Sequence, residues 1–326
     1  LDEIYSEFDR MIENYPNYIR KSIISYSYEN RPIYAYEVGS NDITQNSEIF
    51  FTGLIHSREP GTVFSLIYYF WDLFYRFDKD DLLANYILNN KKISFIPVVN
   101  PDGVVFNEIN YPNGGGLWRK NRRKTSDSTF GTDLNRNFGP YYAWNFDNNG
   151  SLDNPIYDTY RGSSPFSEPE TEAIKNFVES NQFKIAINFH TFGNSVFFPF
   201  SYLNTECSDS NWFRAFLADN YNNTRYIYGV DYEIVNYSTR GSADDFLYLG
   251  NDKFSKIYSM TCEIGSNQFG FWPPVDSIIN YAKNLTSFID NVILSSDKNI
   301  TLAYKDLIKI EDKFYIKFEL QNIGLN

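Results

Sequence analysis

The 326-residue chain has only two histidines, His56 and His190. Both stand at the same kind of place, since each closes a short apolar, β-branched run that reads as a strand: Ser47 to His56 and Lys184 to His190. In open α/β sheets, ligands bind beyond the carboxyl ends of the strands, so residues far apart in sequence can meet there. Glu59 follows His56 at a spacing of three. Two imidazoles and one carboxylate form a ligand set of catalytic zinc, which keeps its fourth position open for water. Glu263 ends a further strand, Lys256 to Glu263, where a carboxylate can take a proton from the water such a site activates. Taken singly, either histidine reads as an ordinary core or surface residue. The set at strand ends is what points to chemistry.

The elements that must position this set alternate between strand-like and helix-like runs, which is an α/β pattern. Thr62 to Phe77 (TVFSLIYYFWDLFYRF) is long and apolar enough for a helix under a sheet, and Lys92 to Val99 (KISFIPVV) is the next strand. Ser167 with Glu170 reads as a capping box that opens a helix to about Asn181. A final amphipathic helix runs from about Val275 to Leu294. From Ile300 the texture changes to strict alternation: in KFYIKFELQNIG (Lys313 to Gly324), Phe314, Ile316, Phe318 and Leu320 share one strand face. Because an isolated hairpin is marginal in water, residues 299–326 are expected to begin a β-type domain of a longer chain, a β-sandwich interrupted at Asn326, after a first domain of residues 1–298.

Composition narrows the partners. With 42% hydrophobic and 19% aromatic residues the chain has the means to fold around a core, and a net charge of −12 argues against nucleic-acid and anionic-membrane binding. No apolar run is long enough for a transmembrane helix. The chain opens at Leu1 without a signal-like segment, which fits removal of targeting and pro-sequences or a trimmed chain. Cys207 and Cys262 permit one bridge and do not demand it.

Eight segments, in this order, resemble the zinc carboxypeptidases of the pancreatic carboxypeptidase A and B type and their bacterial relatives: ENRPI (Glu29 to Ile33), GLIHSREPG (Gly53 to Gly61), PVVNPDG (Pro97 to Gly103), GLWRKNRR (Gly116 to Arg123), GTDLNRNF (Gly131 to Phe138), NFHTF (Asn188 to Phe192), YSTRGSADDF (Tyr237 to Phe246) and CEIG (Cys262 to Gly265). The resemblance covers about Tyr15 to Leu294. It implies a mixed, mostly parallel central sheet flanked by helices, and a secreted exopeptidase acting on peptide or protein C-termini. It implies one Zn2+ held by His56, Glu59 and His190, with Glu263 as the general base. Arg119 would polarise the scissile carbonyl, Asn135 and Arg136 would hold the substrate's terminal carboxylate, and Tyr237 would close over the bound residue. Asp133 would accept the second imidazole N–H of His56, and Arg58 would touch substrate further from its C-terminus. The bland readings stand beside these: RKNRR as a solvated basic face, Asn135 and Arg136 as turn residues, Tyr237 as packing.

Asp244, seven positions after Tyr237, falls where the B type carries the aspartate at the base of its specificity pocket. The resemblance therefore implies a preference for C-terminal Lys or Arg. Two alternatives remain at this point: Asp244 caps a helix that starts near Asp245, or Arg240 neutralises it and leaves a mixed or apolar preference. Departures from the pattern are Thr191 and Phe192, where the pancreatic enzymes have Ser and Tyr, and Asn30, where Gly is usual. Other functions for such a chain are an amidase acting on cell-wall peptides, which would not need a grip on a free α-carboxylate, and an inactive binding module, which would have lost the base or a ligand.

Overall fold

The computed structural model describes residues 1–43, 48–126, 128–297, 300–310, 313–322 and 324–325. Eight strands, β1 (Ile19–Tyr26), β2 (Pro32–Val38), β3 (Ile49–Thr52), β4 (Ile93–Ile96), β5 (Ile185–His190), β6 (Ser195–Phe197), β7 (Ile227–Gly229) and β8 (Tyr258–Glu263), form one sheet in the order β1-β2-β4-β3-β5-β8-β6-β7. Its centre, β4-β3-β5-β8, is parallel, as is β6 with β7; the β1-β2, β2-β4 and β8-β6 pairs are antiparallel. This is the mixed, mostly parallel sheet that the motifs imply.

Central strands buried on both faces are apolar throughout, and alternation divides their side chains between two cores. Ile49 and Phe51 of β3, Ile185, Ile187 and Phe189 of β5, and Met260 and Cys262 of β8 enter the core on one face. There they meet the helices Asp2–Asn14, Pro60–Asp78, Ser210–Thr224 and Val275–Ser295. Phe50 and Ala186 point the other way, toward the helices Pro169–Glu179 and Ala243–Leu249. Each fully buried Phe or Ile contributes about 1.5–3 kcal/mol, so the central strands are firmly held and their ends make a rigid platform.

Two local readings change, and one left open is resolved. The helix after Ser167 starts at Pro169 with Glu168 at its N-cap position, and no capping box forms. Glu170 instead accepts from the backbone N–H of Tyr28 (3.0 Å) and shares Asn121 Nδ2 (3.0 Å) with Glu168 Oε2 (2.7 Å). Cys207 and Cys262 are both free and buried, so the bridge is not made. The expected strand from Ser47 to His56 spans only Ile49–Thr52, so His56 stands in the loop beyond the strand end and does not close it; Ser47 lies outside the described residues. Asn30 sits at φ 65°, a left-handed turn position that asparagine tolerates in place of glycine.

At the end of the chain, β9 (Ile300–Ile310) and β10 (Lys313–Asn322) pair antiparallel as a separate two-stranded sheet. Which way their side chains face lies outside the described residues. After them, the Leu325 N–H donates to Ser295 O at 3.0 Å and its side chain packs against the first core.

Candidate active site

Sheet register brings the chemistry together. β3 and β5 run in parallel with Thr52 opposite Asn188, and β5 and β8 with His190 opposite Glu263. The loop after β3 then carries His56 and Glu59 over the same edge. Its course is set by neighbours: Ser57 Oγ donates to Trp118 O (2.7 Å), Asn107 Nδ2 donates to Ser57 O (3.1 Å) and Trp118 O (3.0 Å), and the Ser57 N–H donates to Arg119 O (3.3 Å). Gly103 permits this, because a Cβ there would stand 2.4 Å from Ser57 Oγ. The helix Pro101–Asn110 can thus press against the loop, anchored by buried Asp102, which accepts from Ser27 Oγ (2.6 Å) and Arg31 Nη1 (2.8 Å). ENRPI and PVVNPDG are two halves of one brace.

At the centre, Glu59 Oε1 lies 2.9 Å from His56 Nδ1, and Glu59 Oε2 lies 3.1 Å from His190 Nδ1. The two Nδ1 atoms are 3.1 Å apart, and one ligand atom from each of the three residues falls within 4.8 Å of the others. Asp133 Oδ1 is 3.0 Å from His56 Nε2. Burial would raise the Asp133 pKa, but Arg119 and His56 hold it well below the usual carboxylate range. An ionised carboxylate only accepts, so His56 carries its proton on Nε2 and turns the Nδ1 lone pair toward His190 and Glu59. Converging lone pairs repel unless a cation lies between them. A buried set of two nitrogens and a carboxylate, with room for a fourth ligand, fits zinc.

The charges around this cluster are complementary. Burial opposes the ionised form of Glu59, yet both imidazoles hold it well below the carboxylate range. Burial pushes the His190 imidazole down, toward the neutral form that ligates. Arg119 donates to Asp133 Oδ2 through Nε (3.0 Å) and Nη2 (2.9 Å), and its Nη1 is 3.9 Å from Glu59 Oε1. Asp133 also accepts the Asn135 N–H at 3.0 Å. One aspartate therefore orients a metal ligand, the arginine and the start of the Leu134–Arg136 turn; sequence reasoning had given it only the first task.

A cavity of about 140 Å³ opens from the cluster, well above the roughly 10–15 Å³ that one water needs on the same measure. His56, His190, Arg119, Asn135, Arg136, Tyr237, Asp244 and Glu263 all line it. Arg58 does not; its Nη1 is 3.2 Å from Asp158 Oδ2 and its guanidinium stacks 4.4 Å over Phe271, which in turn meets Phe192 edge-on. Glu263 Oε2 is buried without a hydrogen-bond partner, and burial first, then the Glu59 charge, pushes this carboxyl well above its ordinary range. Asn135 Oδ1 accepts the Ala243 N–H (2.9 Å). Arg136 gives Nε to Gly150 O (2.9 Å) and Nη1 to Asn135 O (2.7 Å). Gly241, at φ 72°, passes behind it where a Cβ would come 2.2 Å from Arg136 O. Tyr237 remains 55% exposed.

The alternatives for the basic run and for Asp244 resolve on contacts. Lys120 donates to Pro155 O and Tyr157 O, Arg122 stacks 3.9 Å over Phe106, and Arg123 bonds Glu168, so RKNRR is not a solvated face. Arg240 turns to Ser151 and Phe146, away from Asp244. Asp244 lies in the first turn of the helix Ala243–Leu249; its Oδ1 accepts the Asp245 N–H (3.1 Å) and its Oδ2 is 3.3 Å from Ser201 Oγ. The helix starts at Ala243 with Ser242 at its N-cap position and no side-chain cap, so Asp244 is not the capping residue, and it lines the cavity. Missed from sequence were Asp231, Ser201, Thr239 and Ser242, which also line the cavity; common residue types in loops gave no signal.

Comparison with known proteins covers the same body. The model of the zinc carboxypeptidase family, peptidase M14, matches residues 4–287. Mast cell carboxypeptidase A of Rattus norvegicus is 31% identical over 257 residues, 76% of this chain and 60% of that protein. Carboxypeptidase B2 of Bos taurus is 29% identical over 284 residues, 84% of this chain and 64% of that protein. The chain thus spans about two-thirds or less of the length of these curated relatives. The structure of bovine thrombin-activatable fibrinolysis inhibitor, in complex with tick carboxypeptidase inhibitor, superposes with a TM-score of 0.74 at 27% identity, covering 90% of this chain and 96% of that one. A family model that runs from the first helix into the last one of the α/β body, over a fold and ligand cluster of the matching kind, makes this chain a member of the zinc carboxypeptidase family.

Proposed function

We propose that the protein is a metallocarboxypeptidase that removes single residues from the C-termini of peptides or proteins, with His56, Glu59 and His190 holding one zinc ion. The observation that carries this reading is the shared cavity: a ligand cluster, an unpartnered carboxylate and an arginine suited to a carboxylate all face one space. A bound zinc ion would supply Lewis-acid polarisation and a more acidic water. Glu263 takes the proton of the attacking water through its unpartnered oxygen. Arg119, its orientation locked by Asp133, stabilises charge developing on the scissile carbonyl oxygen. Arg136 and Asn135 hold the terminal carboxylate; among the described residues no hydrogen bond occupies Arg136 Nη2, which leaves a guanidinium edge for it. A mid-chain bond offers no such group, hence exopeptidase action. Tyr237 closes the exposed side, and Arg58, outside the cavity lining, reads residues further from the C-terminus. Asp244 selects C-terminal Lys or Arg, since a buried carboxylate is costly until a cation pairs with it.

The test is kcat/KM on matched peptides ending in Arg, Lys, Leu, Phe and Glu, with one C-terminal amide and a muropeptide, before and after chelation. We expect chelator-sensitive cleavage, basic termini preferred, and the amide left intact. An amide cut as fast as the free acid removes the exopeptidase reading. A tenfold preference for Phe or Leu over Arg that Asp244→Ala leaves unchanged removes Asp244 as the specificity residue.

A further inference from the structure

Asp244 is not the only acid at the far end of the cavity. Asp231, which opens the short helix Asp231–Val235, is 7% exposed and lines the same space. Its Oδ2 accepts from Thr239 Oγ1 at 2.7 Å, and its Oδ1 lies 3.2 Å from Ser201 Oγ. Ser201 Oγ is the same hydroxyl that stands 3.3 Å from Asp244 Oδ2. A hydroxyl has one proton to donate, so one of the two carboxylates facing it lacks that bond at any moment. Asp245 does not share this situation: it is off the cavity wall and its carboxylate accepts the N–H groups of Ser201 (2.9 Å) and Tyr202 (3.0 Å).

We propose that Asp231 is a second specificity-determining carboxylate, which together with Asp244 receives the cationic side chain of the substrate's C-terminal residue. The proposal rests on the carboxypeptidase reading above and extends it. An independent feature of the same wall points to a ligand: Ser242 Oγ, in a residue 2% exposed, lines the cavity and has no hydrogen-bond partner. The protein does not supply the missing cation itself. Arg240 is bound to Ser151 and Phe146, and Arg136, whose charge does act on Asp231, is engaged with Gly150 O and Asn135 O. Burial and the neighbouring Asp244 push the Asp231 carboxyl up to about 7, as expected for two acids that face one space with no cation between them. A guanidinium or ammonium group brings three or more N–H donors and the missing positive charge, satisfying both carboxylates and the Ser242 oxygen at once.

The experiment compares Asp231→Asn with wild type on zinc-loaded protein, using peptides that differ only in a terminal Arg or Leu. Asparagine keeps the shape and the acceptor for Thr239 while removing the charge. We expect kcat/KM for the Arg peptide to fall about 10- to 100-fold, mainly through KM, with the Leu peptide unchanged or improved. Equal losses on both peptides, or no loss on either, overturn the proposal and make Asp231 a packing residue. If Asp231→Asn does not fold, Asp231→Ser, which retains an oxygen for Thr239, is read by the same ratio. Should Asp244→Asn abolish the basic preference while Asp231→Asn preserves it, the second carboxylate falls and the carboxypeptidase reading stands. If wild type cleaves none of the peptides, that reading falls with it.

Discussion

Glu59 and Asp231 are both carboxylates buried almost completely, 2% and 7% exposed, yet their surroundings drive them in opposite directions. Two imidazoles hold Glu59 low, whereas Asp231 faces another acid and is pushed up to about 7. Burial penalises the ionised form at both places; the difference lies in where the compensating partners come from. At the metal cluster they are built into the fold, with Asp133 and Arg119 completing a second ion pair behind it. At the end of the cavity they are missing, and under the proposed specificity a cationic side chain of the substrate would supply them. A site that binds a resident ion is finished by the chain, while a site that reads a visitor is left incomplete.

The strongest way to break the first half of this comparison is to remove a ligand. His190→Ala should reduce bound zinc from near one per chain to near zero and abolish turnover, measured by metal analysis after dialysis against weak chelator. Near-stoichiometric zinc in that variant would take His190 off the ligand list. Glu263→Gln should retain zinc and substrate binding but lose roughly 10²- to 10⁴-fold in kcat, because an amide does not accept the proton; an unchanged kcat would send the search for the base elsewhere. Asp133→Asn attacks the supporting pair. It should cost about 10- to 100-fold in zinc affinity and lower kcat as Arg119 loses its anchor, read by competition with a fluorescent chelator. Affinity equal to wild type would show that His56 keeps its tautomer without the aspartate.

The smallest expected effect sharpens the comparison from outside the site. Glu170 is fully buried and accepts from amides, with no cation bonded to it, and burial raises it from 4.5 to about 7. The unfolded chain gives up this proton near pH 4.5, and the folded chain keeps it until about 7. The group therefore favours folding fully below about 4.5, and that contribution is lost as pH rises to 7. Glu170→Gln should remove on the order of 2 kcal/mol of this pH dependence, seen as a smaller loss of stability between pH 5 and 8 in urea titrations. Parallel curves for variant and wild type would mean that amide donors alone hold the charge comfortably.

Much of the α/β body could be read directly from the chain, because strands buried on both faces and long apolar helices leave unambiguous runs, as in KIAINFH and TVFSLIYYF. The metal cluster was legible for a different reason: histidine is so rare here that its two occurrences stand out, His190 at the end of β5 and His56 four residues beyond the end of β3. Ser167 and Glu170 show where local pattern fails, since the capping signature was correct in spacing but the Asn121 amide and the Tyr28 backbone N–H claimed the carboxylate. Asp231 was invisible because one aspartate among many in a loop carries no period and no motif; only the fold sets it across Ser201 from Asp244. Asp133 was found, but its grip on Arg119 and the Asn135 amide depends on three dimensions.

The pairing of His190 opposite Glu263 across β5 and β8 has a practical side. The separation between these two residues is a ladder spacing, set by backbone hydrogen bonds and not by the course of any loop. A slip of one residue in either strand would turn the side chain to the opposite face, so this pair tolerates no insertion within the strands. At the other end of the same strands the chain is free of that constraint. The exposed turn around Asp252, ahead of β8, is where a reporter peptide or affinity handle can be spliced in with the reacting groups left at their original distance.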